Sequence, residues 1–143
     1  MGGDDEGWHL KLPVRKDTRQ ELHVPLDGGA EGSVPARLAS QVEEITAGKH
    51  LHPVAILDTE RTVVRVPGPP ADAQIEVADD KVTATRFDES DGDPMTWREI
   101  EVEVLSADPR AAAMLETVGQ ALREAGARPS ASGSKLARVL APG

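Results

Sequence analysis

The chain has 143 residues and a mass of 15.2 kDa, enough for one domain with a real core but not for two independent ones. Hydrophobic residues make up 38%, and with two Trp, one Phe and no Tyr the core must be built from Val, Leu, Ile and Ala. A formal net charge of -9 disfavours a nucleic-acid backbone, the lack of cysteine excludes disulfides and thiol chemistry, and no apolar run approaches the ~20 residues of a membrane span; the expectation is a soluble, cytoplasmic domain with no direct nucleic-acid or membrane partner.

Residues 1–7 read as an acidic turn. Residues 8–12 and 19–24 alternate apolar and polar, which predicts two strands, and the short connector 13–18 makes them a hairpin. A Gly-rich loop follows at 27–33. Leu38, Val42 and Ile45 stand at helical spacing within 35–47, and Gly48 is a natural stop, so one amphipathic helix is expected there. Residues 54–66 form a long β-branched strand with a bend or bulge at Asp58, Thr59 and Glu60, broken by Pro67-Gly68-Pro69-Pro70. Residues 74–78 and 81–87 suggest a hairpin turning at Asp79-Asp80, and an acidic loop at 88–94 leads to a strand over 96–105. Asp108-Pro109 is a helix start, with the Asp as N-cap and the Pro at the first helical position. Ala111, Leu115, Val118 and Leu122 line that helix before Gly126, and a Ser/Gly-rich spacer at 130–134 precedes a last short helix with Leu136, Val139 and Leu140. The fold class is α+β: about six strands, mostly antiparallel, with helices packed on one side.

The placement of charge within the strands is the informative feature. Side chains alternate across a strand, so Ile100, Val102 and Val104 share one face and Glu99, Glu101 and Glu103 the other. Ile75 and Val77 likewise oppose Glu76, and Arg61 and Arg65 oppose Val64 and Val66. One explanation is an ordinary antiparallel sheet whose charged side faces water. A row of three carboxylates about 6.6–7 Å apart repels itself, however, and a solvated face normally mixes both signs. An acidic row on one strand with Lys and Arg on others suits a divided site, in which carboxylates hold a hard divalent cation and basic groups hold phosphate.

Four segments, in order, carry a family likeness: Trp8-His9-Leu10-Lys11-Leu12-Pro13, Ile75-Glu76-Val77-Ala78-Asp79-Asp80, Trp97-Arg98-Glu99-Ile100-Glu101-Val102-Glu103, and Ser134-Lys135-Leu136-Ala137-Arg138. Together they resemble the CYTH superfamily of triphosphate tunnel metalloenzymes, in particular bacterial members joined to a CHAD domain. The resemblance implies an antiparallel β-tunnel, a barrel-like curved sheet with helices outside, and Mg²⁺- or Mn²⁺-dependent hydrolysis of inorganic triphosphate or a nucleoside triphosphate. It implies phosphate binding by Lys11, Arg61 and Lys135, with Arg65 and Arg138 as further candidates. It implies metal binding by Glu99 and Glu101, with Glu76 at a third acidic position and Glu103 lining the wall. Glu99, Glu101 and Lys11 would then be the catalytic set. His9, His23, His50 and His52 make no ligand set and are read as surface or rim residues.

The family's Glu-x-Glu-x-Lys strand and the Arg-x-Arg strand after it have no counterpart here, and Thr59 stands where many relatives carry a basic residue. The expectation is therefore a single CYTH-like domain over 1–143, incomplete at its N-terminus, with weak or lost activity. Its open sheet edges would be closed by pairing with a second copy. The alternatives are a non-catalytic module for polyphosphate or another anion, a nucleotide-cyclising relative of adenylate cyclases, and a structural domain without a ligand.

Overall fold

The computed structural model describes residues 6–15, 18–26, 32–68, 73–87 and 93–142. Residues 1–5 of the expected acidic turn, 27–31 of the Gly-rich loop, 69–70 of the Pro-rich break and 88–92 of the acidic loop lie outside the described residues. The chain divides into two compact units, Met1–His52 and Pro53–Gly143.

In the first unit, β1 (Trp8–Arg15) and β2 (Thr18–Val24) form the expected antiparallel hairpin, with Leu10 opposite Leu22 and Lys11 opposite Glu21. The register slips between Pro13 and Arg15, where proline lacks the N–H a continuous ladder needs. His9 and His23 face each other and stack at 4.5 Å; His9 Nδ1 lies 2.8 Å from Glu21, and His23 Nε2 lies 2.9 Å from the Glu6 carbonyl oxygen. Gly7 is required beneath that stack: its φ of 138° is left-handed space, and a Cβ there would run into the His23 ring.

The single helix expected over 35–47 is two short ones, α1 (Ala36–Gln41) and α2 (Glu43–Thr46). Val42, with φ -115° and ψ 6°, leaves helical geometry between them, and Ala47 closes α2 in the left-handed region. A β-branched residue tolerates the helix poorly, and here only Leu38 of the apolar stripe is buried; Ile45 is exposed, so packing does not hold the stripe in one helix.

The second unit is a three-stranded antiparallel sheet in the order β3-β4-β5, with β3 at Ala55–Gly68, β4 at Ala73–Arg86 and β5 at Met95–Val104. Several expectations are corrected here. Asp79-Asp80 is not a turn: both residues sit in mid-strand, paired to Thr62 and Arg61 on β3 and to Ile100 and Glu99 on β5. The two short strands foreseen there are one 14-residue strand, which reduces the count among the described residues from about six to five. Asp58, Thr59 and Glu60 likewise run straight through, in register with Thr83, Val82 and Lys81. The five strands lie in two separate sheets, and no closed barrel forms among the described residues.

Because directly opposite residues share a face, the register assigns sides. One face carries Arg61, Asp80 and Glu99 in one row, Arg65, Glu76 and Glu103 in another, and Thr59, Val82 and Trp97 in a third. The other carries the apolar set Val64, Val66, Ile75, Val77, Ile100, Val102 and Val104 at one end, and Asp58, Glu60, Lys81 and Arg98 at the other. The charged and oily sides read from alternation are thus real over half of the sheet.

α3 (Pro109–Glu124) is capped by Asp108, whose carboxylate accepts from the Arg110 backbone N–H at 2.8 Å. It packs against β4 and β5, and Ala111 on the helix and Ile75 on the sheet are both fully buried. α4 (Lys135–Leu140) is capped by Ser134 and also contacts β4, with Val139 buried in its last turn. Its partners lie on the charged face, so this helix does not join an outer apolar layer as expected. Ala78, Val82 and Ala84, all buried, keep that face low enough along β4 for a helix to approach.

Candidate functional site

The centre of the charged face is Asp80, which is completely buried. A carboxylate taken out of water needs full compensation, and Asp80 has it. Arg61, directly across on β3, grips it with both arms of its guanidinium: Nε to Oδ1 and Nη2 to Oδ2, each at 2.7 Å. Lys135 Nζ, at the start of α4, reaches Oδ2 at 2.8 Å. The same ammonium lies 2.6 Å from Glu99 Oε1 and 2.8 Å from Glu101 Oε1. Arg61 Nη2 makes a longer contact of 3.4 Å to Glu101 Oε2. Trp97 donates its indole N–H to Glu99 Oε2 at 2.8 Å, and the Arg138 guanidinium lies 4.9 Å from the Trp97 ring centroid. The result is a connected network of three carboxylates, two basic groups in direct contact with them, and an aromatic wall.

The electrostatics follow from this geometry. The bidentate hydrogen bonds from Arg61, joined by that from Lys135, outweigh burial and bring the Asp80 carboxyl from its ordinary 3.8 down to about 2. Burial alone would raise Glu99, but the Lys135 and Trp97 hydrogen bonds reverse this and hold it below the usual glutamate value. Burial would likewise lower Lys135, yet its bonds to Asp80, Glu101 and Glu99 win and hold the ammonium well above an ordinary lysine. The hydrogen bond to Asp80 raises Arg61 further. Asp80, Glu99, Arg61 and Lys135 are thus held in their charged forms at neutral pH.

The structure brings together Arg61, Glu99, Glu101 and Lys135 of the residues singled out in the sequence, with Arg138 one side chain away across Trp97. Arg65 and Glu76 stand on the same face as a separate pair, Arg65 Nε donating to Glu76 Oε2 at 3.2 Å. Glu103 lies opposite Glu76, on the same face. Lys11 belongs to the first unit, exposed on β1 across from Glu21. Asp80 was missed by sequence reasoning, because an Asp-Asp pair between two short strand patterns looks like a turn. The available signal was its parity with Glu76, which puts it on the charged side once the strand is continuous.

Among the described residues, Asp80, Glu99 and Glu101 are the acidic group whose oxygens converge, one from each residue all within 4.8 Å of one another. Hard oxygen donors at that spacing fit Mg²⁺ or Mn²⁺ in kind and number. No helix among the described residues is long and apolar enough to cross a membrane.

A CYTH domain model matches residues 1–139. The chain belongs to the CYTH domain family. Two relatives, each called an uncharacterized protein, come from Mycobacterium tuberculosis strains CDC 1551 and H37Rv; each is 38% identical over 148 residues, covering 97% of this chain. The chain spans 29% of the length of those relatives. No solved structure matches it significantly. The CYTH superfamily is metal-dependent and its members are often triphosphatases or cyclases, and the acidic cluster of this CYTH domain could hold a metal ion.

Proposed function

We propose that this CYTH domain is a cytoplasmic hydrolase that binds inorganic triphosphate or a nucleoside triphosphate on the charged face and cleaves a phosphoanhydride bond. The observation that carries the reading is the Asp80–Glu99–Glu101 cluster in direct contact with Arg61 and Lys135. Converging carboxylates beside two cations suit a metal-bound polyphosphate, and a merely solvated sheet face has no need of them.

In this reading Glu99 and Glu101 hold the metal, with Asp80 as the buried third carboxylate and Glu76 further along the strand. Mg²⁺ or Mn²⁺, when bound, neutralises phosphate oxygens and lowers the pKa of a water ligand. The chain's own groups supply the rest. Arg61 is oriented by its two-armed bond to Asp80, and 44% of its side chain remains open to an anion. Arg61 and Lys135 stabilise the charge on the transferred phosphoryl oxygens. Arg65 and Arg138 are proposed as outer phosphate contacts. Hydrolysis adds water to the terminal phosphorus, breaks its bridging P–O bond, and leaves orthophosphate and the shortened chain. A second copy of the domain is the proposed protein partner, through the outer edges of the sheet.

The test is orthophosphate release from tripolyphosphate with Mn²⁺, for the wild type and for Glu99→Ala and Arg61→Ala. Removal of a group aimed at developing charge costs about 10²–10³ in rate, so a loss of that order is expected for Arg61→Ala, and Glu99→Ala, which removes a metal-holding carboxylate, is expected to lose metal-dependent release. Release that needs no metal, or that both substitutions leave unchanged, rejects the assignment.

A further inference from the structure

Lys135 Nζ lies 2.8 Å from Asp80, 2.6 Å from Glu99 and 2.8 Å from Glu101. Those are the same three residues whose oxygens converge within 4.8 Å. A divalent cation takes carboxylate oxygens at about 2.0–2.6 Å and must dispose of any other positive charge among them. The ammonium and the metal therefore claim the same lone pairs in the same space, and like charges that close repel strongly in a partly buried setting.

We propose that Lys135 is a built-in counter-ion of the carboxylate cluster, and that a divalent cation enters only as this ammonium leaves. The identity of the incoming cation rests on the function proposed above; the competition itself rests on the contacts. Departure is structurally simple. Lys135 is the first residue of a six-residue helix, on a long flexible side chain, and α4 keeps separate anchors further along. Val139 is buried, its carbonyl oxygen accepts from Arg86 at 3.4 Å, and Arg138 lies over Trp97. The ammonium can swing off the carboxylates while the helix stays docked.

The released ammonium needs a new anion, and phosphate oxygens at the metal provide one. Metal and triphosphate thus each supply what the other's binding removes: the metal replaces Lys135 on the carboxylates, and the phosphates replace the carboxylates on Lys135. Each ligand then tightens the binding of the other, by the same factor in both directions.

Mn²⁺ alone, titrated into the full chain with free Mn²⁺ followed by electron paramagnetic resonance, tests the competition without catalysis. Lys135→Met is expected to bind Mn²⁺ at least about tenfold tighter than the wild type, the size of a single allosteric coupling. Lys135→Arg, which keeps the charge, is expected to stay within twofold of wild type. Ser134→Ala removes the 3.0 Å cap bond to the Ala137 N–H, loosens the first turn of α4, and is expected to fall in between. If Lys135→Met does not fold, Ser134→Ala decides alone. Unchanged or weaker Mn²⁺ binding in folded Lys135→Met, or in Ser134→Ala where the Met variant does not fold, overturns the proposal, and so does an Arg variant that tightens as much as Met. Tripolyphosphate hydrolysis by the wild type is read separately: its absence rejects the enzyme and leaves the competition standing, and tight wild-type metal binding that Lys135→Met does not improve does the reverse.

Discussion

Asp80 concentrates the energetics of the charged face in one residue. Its carboxylate is fully buried and bound on both oxygens, so it is stable only while Arg61 and Lys135, or a cation in place of Lys135, compensate it. Asp80→Asn keeps the shape but leaves Arg61 and Lys135 short of one negative charge; breaking a buried pair costs about 3–5 kcal/mol, and with Arg61 partly exposed we expect about 2–3 kcal/mol in denaturant unfolding at neutral pH. The pH dependence follows from the lowered pKa. A group depressed from 3.8 to about 2 stabilises the fold above pH 4 and loses that contribution as pH falls from about 4 to about 2, some 2 kcal/mol in all. The variant should lack this part of the acid limb, and an acid-unfolding curve that the substitution does not flatten contradicts the role. The acidic row on β5 was legible because Glu99, Glu101 and Glu103 alternate with Ile100, Val102 and Val104. Asp80 was not, because its meaning depends on Arg61 and Glu99 lying across from it, and cross-strand register is not written in any one segment.

At the level of elements, long β-branched runs and helix caps were readable, and choices between local alternatives were not. The Asp108 cap is present as its sequence suggests, whereas Ser134, read only as the end of a Ser/Gly-rich spacer, also caps its helix. The helix over 35–47 split because its apolar stripe finds little to pack on, and β4 ran straight because both neighbours pair with it across Asp79-Asp80. In the latter case tertiary pairing overrides a turn-prone dipeptide: Asp79 is held by a two-armed bond from Arg98, at 2.7 Å on each oxygen, and Asp80 by Arg61. The strand order leaves the outer edges of β3 and β5 without a strand partner among the described residues. β3 is long, and Ile56, Val63 and Val64 on it are exposed. Such an edge favours pairing, with the charged Asp58, Glu60, Arg61 and Arg65 limiting it to a specific register. Light scattering across a concentration series should show a dimer, which Val64→Lys weakens; a monomer at the highest concentration removes the second copy from the account.

For the whole molecule, charge sets what the site can hold unaided. The chain as a whole carries -9. The charged face with α4 is balanced: Arg61, Arg65, Arg86, Lys135 and Arg138 stand against Glu76, Asp80, Glu99, Glu101 and Glu103. The overall sign was plain from composition, but the local balance needed both the strand register and the docking of α4, which no periodicity reveals. A free triphosphate therefore meets no net positive field here: Arg61, Arg65 and Lys135 are already held by carboxylates, and the chain as a whole is acidic. A divalent cation changes that sign where it matters. Calorimetry in EDTA should detect no binding of tripolyphosphate, and added Mg²⁺ should restore it. Lys135→Gln should weaken the metal-assisted binding by removing the phosphate's nearest cation. Binding of equal strength with and without metal would mean that the basic residues suffice, and the domain would then be an anion-binding module whose carboxylates serve only to hold Arg61 and Lys135 in place.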